Sequence, residues 1–244
     1  MSSSRRGRGG GSTARGARRG LSQRVHTARQ RSLGSTIWLQ RQLNDPYVAE
    51  AKLRGYRSRA AFKLAQLDDR FELIKPASRI IDLGCAPGGW LQVALERLGP
   101  KGKLVGIDLL PVDSLDGAII LEGDFLDETA PAQLREALGG AADLVLSDMA
   151  ANAMGHRKTD HLRTMALAET AAYFALENLA PGGSFVSKVL QGGTEATLLT
   201  LLKKSFENVR HAKPAASRKG SSEVYLVARG FRGLPAAPDD GAEG

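Results

Sequence analysis

Two lysines and two acids in this sequence have types and positions that could assemble a reactive centre. Lys188 lies inside the apolar stretch "FVSKVL" (185–190), which indicates a buried strand. A buried ammonium without a partner costs several kcal/mol or shifts its pKa downward. Asp148 and Glu223 could compensate for this cost as its partners, and Lys63 could lie nearby. Paired acids would hold the amine charged, whereas burial and a second lysine would favour the neutral form, so the set could draw a proton from a substrate hydroxyl.

These residues also have ordinary structural explanations. Lys188 could extend its amine from an edge strand to water, Lys63 could occupy a solvated helix face, and Glu223 could form a cross-strand pair. Their joint placement favours the reactive interpretation. Asp148 ends the predicted strand "LVLSD", Glu223 opens the last predicted strand, and the helix that carries Lys63 could fold across the same edge.

A glycine-rich turn follows the first predicted strand. The segment "DLGCAPGGW" (82–90) contains Gly84, Gly88 and Gly89, and glycine allows close approach of the backbone to a ligand. The turn lacks the Lys-Ser/Thr of a P-loop, and its spacing is not G-x-G-x-x-G, which disfavours a nucleoside triphosphate or a nicotinamide dinucleotide. A tight turn without a ligand remains the alternative.

Two further acids follow the second and third predicted strands. Asp108 is placed to accept hydrogen bonds from ribose hydroxyls, and Asp124 could accept one from an adenine amino group. Either acid could instead cap a helix or lie in a solvated turn. Together with the glycine turn they predict a nucleoside ligand without a polyphosphate. S-adenosylmethionine (SAM) and other adenosine compounds both meet that description.

Strands and helices alternate along the chain and would position these residues. Strands are predicted over 79–84, 103–110, 117–125, 142–150, around residue 188, and over 208–214 and 222–230. Helices are predicted over 58–71, 90–99, 131–140, 160–183 and 194–206, with the fourth closed by Pro181 and Gly182. This alternation predicts an α/β fold: an open, mostly parallel sheet with helices on both faces and one antiparallel strand near the end. Ligands of such sheets bind beyond the carboxyl ends of the strands.

Composition limits the classes of protein that the chain could belong to. Its 244 residues are 42% hydrophobic, which allows one sizeable core, and no apolar run has the length of a membrane span. The one cysteine, Cys85, excludes an internal disulfide and fits a reducing compartment. We therefore expect a cytoplasmic protein without membrane contact.

The basic charge is concentrated at the amino terminus. Residues 1–34 contain nine arginines and no acid, whereas the other 210 residues contain 25 basic and 26 acidic side chains. Such a Gly/Ser/Arg-rich segment suits phosphate contacts on nucleic acid, although a solubilising tail or an organelle transit peptide is also compatible. We predict a disordered basic tail over 1–34, one domain over 35–231 and a flexible tail over 232–244.

Seven short motifs, in order, resemble the FtsJ/RlmE family of SAM-dependent ribosomal RNA 2′-O-ribose methyltransferases. They are "SRAAFKL" (58–64), "DLGCAPGGW" (82–90), "GIDLLP" (106–111), "GDF" (123–125), "SDMA" (147–150), "VSKVLQGG" (186–193) and "SSEVYLVA" (221–228). The resemblance covers roughly residues 45–230. It implies a seven-stranded Rossmann-like sheet and methylation of a uridine in 23S ribosomal RNA. Related enzymes act on tRNA, organellar ribosomal RNA or mRNA caps.

The resemblance also implies roles for individual residues. Lys63, Asp148, Lys188 and Glu223 would form a catalytic tetrad. Our hypothesis is that Lys188 either draws off the hydroxyl proton or, charged, stabilises the developing alkoxide, while the two acids hold Lys188 and Lys63 helps to seat the hydroxyl. The SAM site would be lined by Gly84, Gly88, Gly89, Trp90, Asp108, Asp124 and Asp148. RNA would be held by Arg54, Arg57, Arg59, Lys203, Lys204, Lys213, Arg218 and Lys219 together with the tail.

Other functions remain open at this stage. A non-catalytic RNA-binding or ribosome-assembly factor could keep the fold and the basic arm, but binding alone requires no buried lysine. A SAM methyltransferase for a small molecule or a protein is disfavoured by the basic arm and by the lack of an added substrate domain. His156 and His161 do not have the spacing of metal ligands, and we expect no metal. We expect a monomer that contacts ribosomal RNA within the large ribosomal subunit.

Overall fold

A computed structural model describes residues 32–151, 154–191, 196–218 and 220–233. The chain divides between Asp45 and Pro46 into two units. The first contains helix α1 (Leu33–Leu43), whose N-cap residue Ser32 accepts a hydrogen bond from the backbone N–H of Ser35. Most of the predicted tails, 1–34 and 232–244, lie outside the described residues, and the predicted division into domains stays a prediction.

The second unit alternates helices and strands, as the sequence predicts. Its described helices are α2 (Pro46–Arg54), α3 (Ala61–Phe71), α4 (Gly89–Leu98), α5 (Ala130–Leu138), α6 (Arg157–Asn178) and α7 (Ala196–Ser205). Its described strands are β1 (Arg79–Leu83), β2 (Lys103–Asp108), β3 (Ala118–Glu122), β4 (Ala142–Ser147), β5 (Leu179–Leu190), β6 (Phe206–Ala212) and β7 (Glu223–Phe231).

The described strands form one sheet in the order β3-β2-β1-β4-β5-β7-β6. Strands β1 to β5 pair in parallel, and β7 runs antiparallel to both of its neighbours, β5 and β6. Helices α5, α6 and α7 supply buried side chains to the core on one face, and α3 and α4 supply them on the other. The predicted mostly parallel sheet with helices on both faces and one antiparallel strand is confirmed.

Helix α6 ends earlier than the sequence predicts. We expected a helix as far as Pro181 and Gly182, but α6 ends at Asn178 and β5 begins at Leu179. A proline disfavours the helical conformation of the residue that precedes it, so the chain is already extended before Pro181. The predicted hairpin is confirmed, because β6 ends at Ala212 and β7 begins at Glu223. No helix in the described part of the chain has both the length and the apolar character needed to cross a membrane.

Helix α3 is held in place at its carboxyl end by a buried carboxylate. Asp68 is only 7% exposed, and its Oδ1 accepts hydrogen bonds from the backbone N–H groups of Leu73 and Ile74, each at 2.7 Å. Its Oδ2 accepts a hydrogen bond from the guanidinium of Arg97 on α4. These bonds fix the turn after α3 and join this helix to α4.

Replacing Asp68 with alanine should lower the free energy of unfolding by about 3 kcal/mol, because two buried N–H groups and a guanidinium lose their acceptor. Urea denaturation measures this change. Asp69→Ala is the matched control, since Asp69 is exposed and pairs with the same arginine at 2.8 Å, and it should cost about 0.5 kcal/mol. Equal losses in the two variants would contradict this role of Asp68.

Candidate active site

The alternation of side chains along the strands brings one set of residues to the sheet face that α3 and α4 cover. Lys188 on β5 points to the same face as Val186, and it lies directly opposite Tyr225 of β7. On β4, Leu146 belongs to this face, so Asp148, two residues further on, continues the row just beyond the end of the strand. The side chains of Lys188, Tyr225 and Asp148 therefore lie on the same face of the sheet, the one that α3 and α4 cover.

The two lysines and two acids predicted from the sequence converge at this place. Lys188 Nζ lies 3.1 Å from Asp148 Oδ1 and donates a hydrogen bond to the backbone carbonyl of Asp148 at 2.5 Å. Lys63 Nζ lies 3.7 Å from Asp148 Oδ2 and 3.5 Å from Glu223 Oε2. Lys63 and Lys188 are only 6% and 5% exposed. The cost of burying their ammonium groups is compensated by these carboxylate partners.

The pairing within this cluster differs in one respect from the hypothesis drawn from the sequence. Glu223 pairs with Lys63, whereas we expected it to hold Lys188. The register explains the difference, because Glu223 lies opposite Leu190 and Tyr225 lies opposite Lys188. The carboxylate of Glu223 therefore lies one residue pair beyond Lys188, within reach of α3. The catalytic role of the four residues stays a prediction.

Tyr225 is a member of this cluster that the sequence analysis missed. Its hydroxyl donates a hydrogen bond of 2.6 Å to Asp148 Oδ1, the oxygen that also faces Lys188. The ammonium of Lys63 lies 5.6 Å from the centre of its ring, and the ring of Trp90 packs against it at 5.8 Å. Tyr225 could have been identified from its position two residues after Glu223, because side chains two residues apart in a strand lie on the same face.

The charges of the cluster shift the pKa values of Asp148 and Tyr225 in opposite directions. Burial raises the pKa of Asp148, but the ammonium groups of Lys188 and Lys63 and the bond from Tyr225 outweigh burial and hold it below its ordinary value. Burial and the neighbouring charge of Asp148 raise the pKa of Tyr225 well above its ordinary value. Asp148 is therefore an ionised acceptor and Tyr225 a neutral donor at neutral pH.

Replacing Tyr225 with phenylalanine should lower the rate of any reaction at this cluster by about tenfold, because Asp148 loses a donor that fixes its orientation. The same loss raises the pKa of Asp148, so the fall in activity on acidification should begin at a higher pH than in the wild type. A pH–rate profile measures both effects. Tyr173→Phe, at an exposed tyrosine of α6, is the control, and an unchanged acid limb in the Tyr225 variant would refute the assignment.

The glycine turn after β1 is tightly enclosed by neighbouring segments. Gly84 has φ of 78°, and a Cβ there would lie 2.6 Å from Cγ of Met149. Gly88 has φ of 105°, and a Cβ there would lie 2.7 Å from the guanidinium of Arg57. Both positions therefore require glycine for the conformation and for the close packing of the turn. Trp90, at the start of α4, donates its indole N–H to the carbonyl of Ala60 at 2.8 Å.

Asp108 and Asp124 both accept hydrogen bonds from the backbone near the turn. Asp108 Oδ2 accepts from the N–H of Ala86 and Oδ1 from the N–H of Leu110, each at 2.9 Å, so this carboxylate joins the glycine turn to the loop after β2. Asp124 Oδ1 accepts from the N–H of Leu126 at 2.9 Å. Each carboxylate oxygen has a second lone pair, so both side chains can still accept a hydrogen bond from a ligand.

Two buried polar side chains at this turn have no hydrogen-bond partner among the residues that the structure describes. They are the hydroxyl of Ser58, which packs against Gly89, and both carboxylate oxygens of Asp82. Burial raises the pKa of Asp82 well above its ordinary value, and the charges of Asp148 and Asp108 raise it further. These groups could therefore still form hydrogen bonds with a bound molecule.

The model of one protein family matches the larger part of this chain. Its description is FtsJ-like methyltransferase, and the match covers residues 56–231, from the segment before α3 to the end of β7. The chain belongs to the FtsJ-like methyltransferase family. The resemblance found in the seven sequence motifs is thereby confirmed.

Individual relatives of this FtsJ-like methyltransferase are similar along almost their whole length. A Paramagnetospirillum magneticum protein named ribosomal RNA large subunit methyltransferase E is 63% identical over 93% of this chain and 95% of its own. A Rhodospirillum rubrum protein of the same name is 61% identical over 92% of this chain and 87% of its own. A solved Plasmodium falciparum structure, described as that of a ribosomal RNA methyltransferase, superposes with a TM-score of 0.66 at 33% identity and covers 73% of this chain and 100% of that one.

The basic residues predicted to hold RNA fall into two groups in this FtsJ-like methyltransferase. One group lies in the segment before α3 and in the β6–β7 loop; it comprises Arg54, Arg57, Arg59, Lys213 and Arg218. Lys203 and Lys204 lie in the last turn of α7, at the end of β6 remote from that loop. Strand β6 has seven residues, so the two ends are about 20 Å apart. Lys219 lies outside the described residues.

Several of these basic side chains already contact the protein. Arg59 donates to the carbonyl of Ala216 at 2.6 Å, which ties the β6–β7 loop to the start of α3, and Lys213 donates to the carbonyl of Ser221 at 2.5 Å. Arg54 forms an exposed ion pair with Glu50. Their contact with RNA stays a prediction. Within the described residues, no group of three or more histidine, cysteine or acidic side chains is arranged to hold a metal ion.

Proposed function

We propose that this FtsJ-like methyltransferase transfers a methyl group from SAM to the ribose 2′-hydroxyl of a uridine in large-subunit ribosomal RNA. The observation that carries the proposal is the cluster of two buried lysines, Lys63 and Lys188, with Asp148 and Glu223, which lies at the same strand ends as the glycine turn. The names of the relatives support the choice of ribosomal RNA as the substrate.

The donor set at the glycine turn fits SAM. Membership of the family implies SAM as the methyl donor, and when bound it supplies an electrophilic methyl group on a sulfonium leaving group. We assign the backbone of the turn at Gly84, Gly88 and Gly89 and the side chain of Trp90 to its binding. The carboxylates that accept from its ribose, adenine and cationic groups would be Asp108, Asp124 and Asp148. Ser58 and Asp82 would offer the hydroxyl and carboxyl groups that lack protein partners to its amino-acid end.

Replacing Ser58 with alanine should weaken the binding of SAM about fivefold, because the ligand loses a hydrogen bond. The same change should leave the melting temperature unchanged or raise it, since it removes a buried hydroxyl without a partner. Calorimetric titration and thermal denaturation measure the two effects. Ser217→Ala is a matched control, because the Ser217 hydroxyl is also buried without a partner within the described part of the chain but lies in the β6–β7 loop. Equal SAM affinity in both variants would remove Ser58 from the site.

The cluster around Lys188 has the groups needed to activate a ribose hydroxyl. A 2′-hydroxyl is a poor nucleophile until its proton is being lost, so a positioned amine accelerates its attack. The side chain and backbone carbonyl of Asp148 fix Lys188 Nζ on two sides. A neutral amine would accept the proton, and a charged one would stabilise the developing alkoxide. Both forms require the same position of the amine.

The other members of the cluster position Asp148 and the substrate. Lys63 bridges Asp148 and Glu223, which keeps two carboxylates close together without repulsion. Tyr225 donates to Asp148 from the other side. We therefore propose that Lys63 and Glu223 assist the reaction indirectly, by holding Asp148 in the orientation that positions Lys188. The ammonium of Lys63 could also donate a hydrogen bond to the oxygen of the substrate hydroxyl. No step in this mechanism requires a metal ion.

The basic surface would hold the RNA phosphates. The basic residues predicted for this role lie before α3, in the β6–β7 loop and in α7, and nine arginines in residues 1–34 add charge that needs no fixed geometry. We propose that the chain acts as a cytoplasmic monomer on the assembled large subunit, with a basic tail before one methyltransferase domain. Binding of RNA should weaken steeply as the salt concentration rises.

The transfer of tritium from methyl-labelled SAM tests the choice of substrate. Equal amounts of large ribosomal subunits, protein-free ribosomal RNA and tRNA would be offered, all from cells that lack the corresponding methyltransferase. We expect label in large-subunit RNA, with subunits labelled faster than free RNA. Label in tRNA alone, or none in any RNA while SAM is bound, would overturn the proposal.

A further inference from the structure

Arg57 contacts both loops that form the cofactor side of the site. Its guanidinium donates to the carbonyls of Asp113 at 2.8 Å and Ser114 at 2.9 Å, in the loop after β2. It also donates to the carbonyl of Pro87 in the glycine turn at 3.4 Å. One side chain therefore joins two segments that are separate in the sequence and that carry different parts of the proposed SAM site.

The backbone around Arg57 is itself fixed to the helix that follows the turn. Gln92 of α4 accepts a hydrogen bond from the N–H of Arg57 at 2.7 Å and donates to the carbonyl of Gly55 at 2.9 Å. The guanidinium packs so closely on Gly88 that a Cβ there would lie 2.7 Å from it. Arg57 is thus held at its backbone and at the end of its side chain.

The loop that Arg57 holds has no regular secondary structure, although Val112 and Leu115 pack partly buried against the core. Residues 109–117 follow Asp108 and form neither helix nor strand, and Leu109 and Leu110 are 62% and 64% exposed. A guanidinium is suited to this task, because its planar set of N–H donors can satisfy several carbonyls at once, whereas an ammonium is a point charge. Arg57 therefore adds polar contacts between the glycine turn and this loop to the hydrogen bonds of Asp108 and to the apolar packing of the loop.

We infer that Arg57 is a positioning residue for the cofactor, in contrast to the RNA contact predicted from its charge. It would set the width of the cleft between the glycine turn and the loop after β2, and so the affinity for SAM. This inference rests on the proposed function, because it takes SAM as the ligand of that cleft. It assigns Arg57 a different task from Arg54, which lies three residues before it and pairs only with Glu50 among the contacts described above.

Calorimetric titration with SAM tests this assignment on the full chain and on the variants Arg57→Gln, Arg57→Lys and Arg135→Gln. Arg57→Gln should raise the Kd for SAM about tenfold and Arg57→Lys by less, since one cationic donor remains. Arg135 is exposed on α5, remote from the turn in the sequence, and its variant should bind SAM as the wild type does. In steady-state assays, Arg57→Gln should change the KM for SAM more than kcat, because the inference concerns binding of the cofactor.

Two further measurements separate the possible outcomes. Amide hydrogen exchange of residues 109–117 in the ligand-free protein should be faster in Arg57→Gln, a readout that needs no cofactor. The affinity for RNA should fall no more than in Arg54→Gln. Unchanged SAM affinity in Arg57→Gln, or unchanged exchange in the loop, would overturn the inference alone. Failure of the wild type to bind SAM would instead overturn the proposed function, and the role of Arg57 toward SAM with it.

Discussion

Replacing Lys188 with methionine should lower kcat for methyl transfer by about a thousandfold, because the group that draws off the hydroxyl proton is lost. Methionine keeps an apolar side chain of similar length in a position that is 5% exposed, so the strand should keep its packing. The Kd for SAM should stay close to that of the wild type, since the glycine turn is unchanged. Single-turnover rates with labelled SAM, together with calorimetric titration, measure the two quantities.

Lys188→Arg provides the second arm of this experiment. Arginine keeps a positive charge near Asp148 but does not become neutral at any relevant pH, so it cannot accept a proton. Activity close to zero in this variant favours a neutral lysine as the base, and substantial remaining activity favours stabilisation of the alkoxide. Lys101→Met, at an exposed lysine, is the control. Near wild-type turnover of a folded Lys188→Met variant would refute the role of Lys188.

Replacing Asp148 with asparagine should have the second largest effect, because this carboxylate contacts both ammonium groups. Turnover should fall by about a hundredfold or more, since Lys188 loses the partner that orients it. The free energy of unfolding at neutral pH should fall by about 3 kcal/mol, because two buried ammonium groups lose a shared counter-charge. Turnover and urea denaturation measure these changes.

The stability of the Asp148→Asn variant should also depend less on pH. The pKa of Asp148 is lowered in the folded chain, so its ionisation contributes stability that is complete above the ordinary pKa of the side chain. This contribution is lost as the pH falls through the lowered pKa. The variant lacks the contribution at every pH, because asparagine does not ionise. Asp143→Asn is the control, because Asp143 lies at the other end of β4 and is exposed. Equal pH dependence in wild type and variant would contradict the pairing of Asp148.

The sequence predicted the fold and the meeting of the four charged residues for a physical reason. Alternating strands and helices leave few arrangements other than a parallel sheet, and the carboxyl ends of parallel strands lie along one edge. Lys188 was identifiable because a lysine in an apolar strand requires a partner. The pairing of Glu223 with Lys63 could not be predicted, since it depends on the register between β5 and β7.

Residues that act through precise packing were not identifiable from the sequence. Ser58 begins the motif "SRAAFKL" and Arg57 precedes it, but nothing in the sequence shows that the first packs on Gly89 or that the second joins two loops. Asp82 was taken only as part of the glycine motif, although its oxygens are buried without partners among the described residues. Tyr225 could not be recognised from hydrophobicity, because a hydrophobic pattern does not show where its hydroxyl points. Recognising these four residues requires knowing the distances between segments that are far apart in the chain.

The measurement that tests the central claim most directly is the identity of the methylated nucleoside. Large subunits that lack the modification would be incubated with the chain and methyl-labelled SAM, and their RNA digested to nucleosides and separated. We predict that the label elutes as 2′-O-methyluridine with the wild type and is absent with Lys188→Met. Label on a base, or equal labelling by the two proteins, would contradict the claim that Lys63, Asp148, Lys188 and Glu223 activate a ribose hydroxyl.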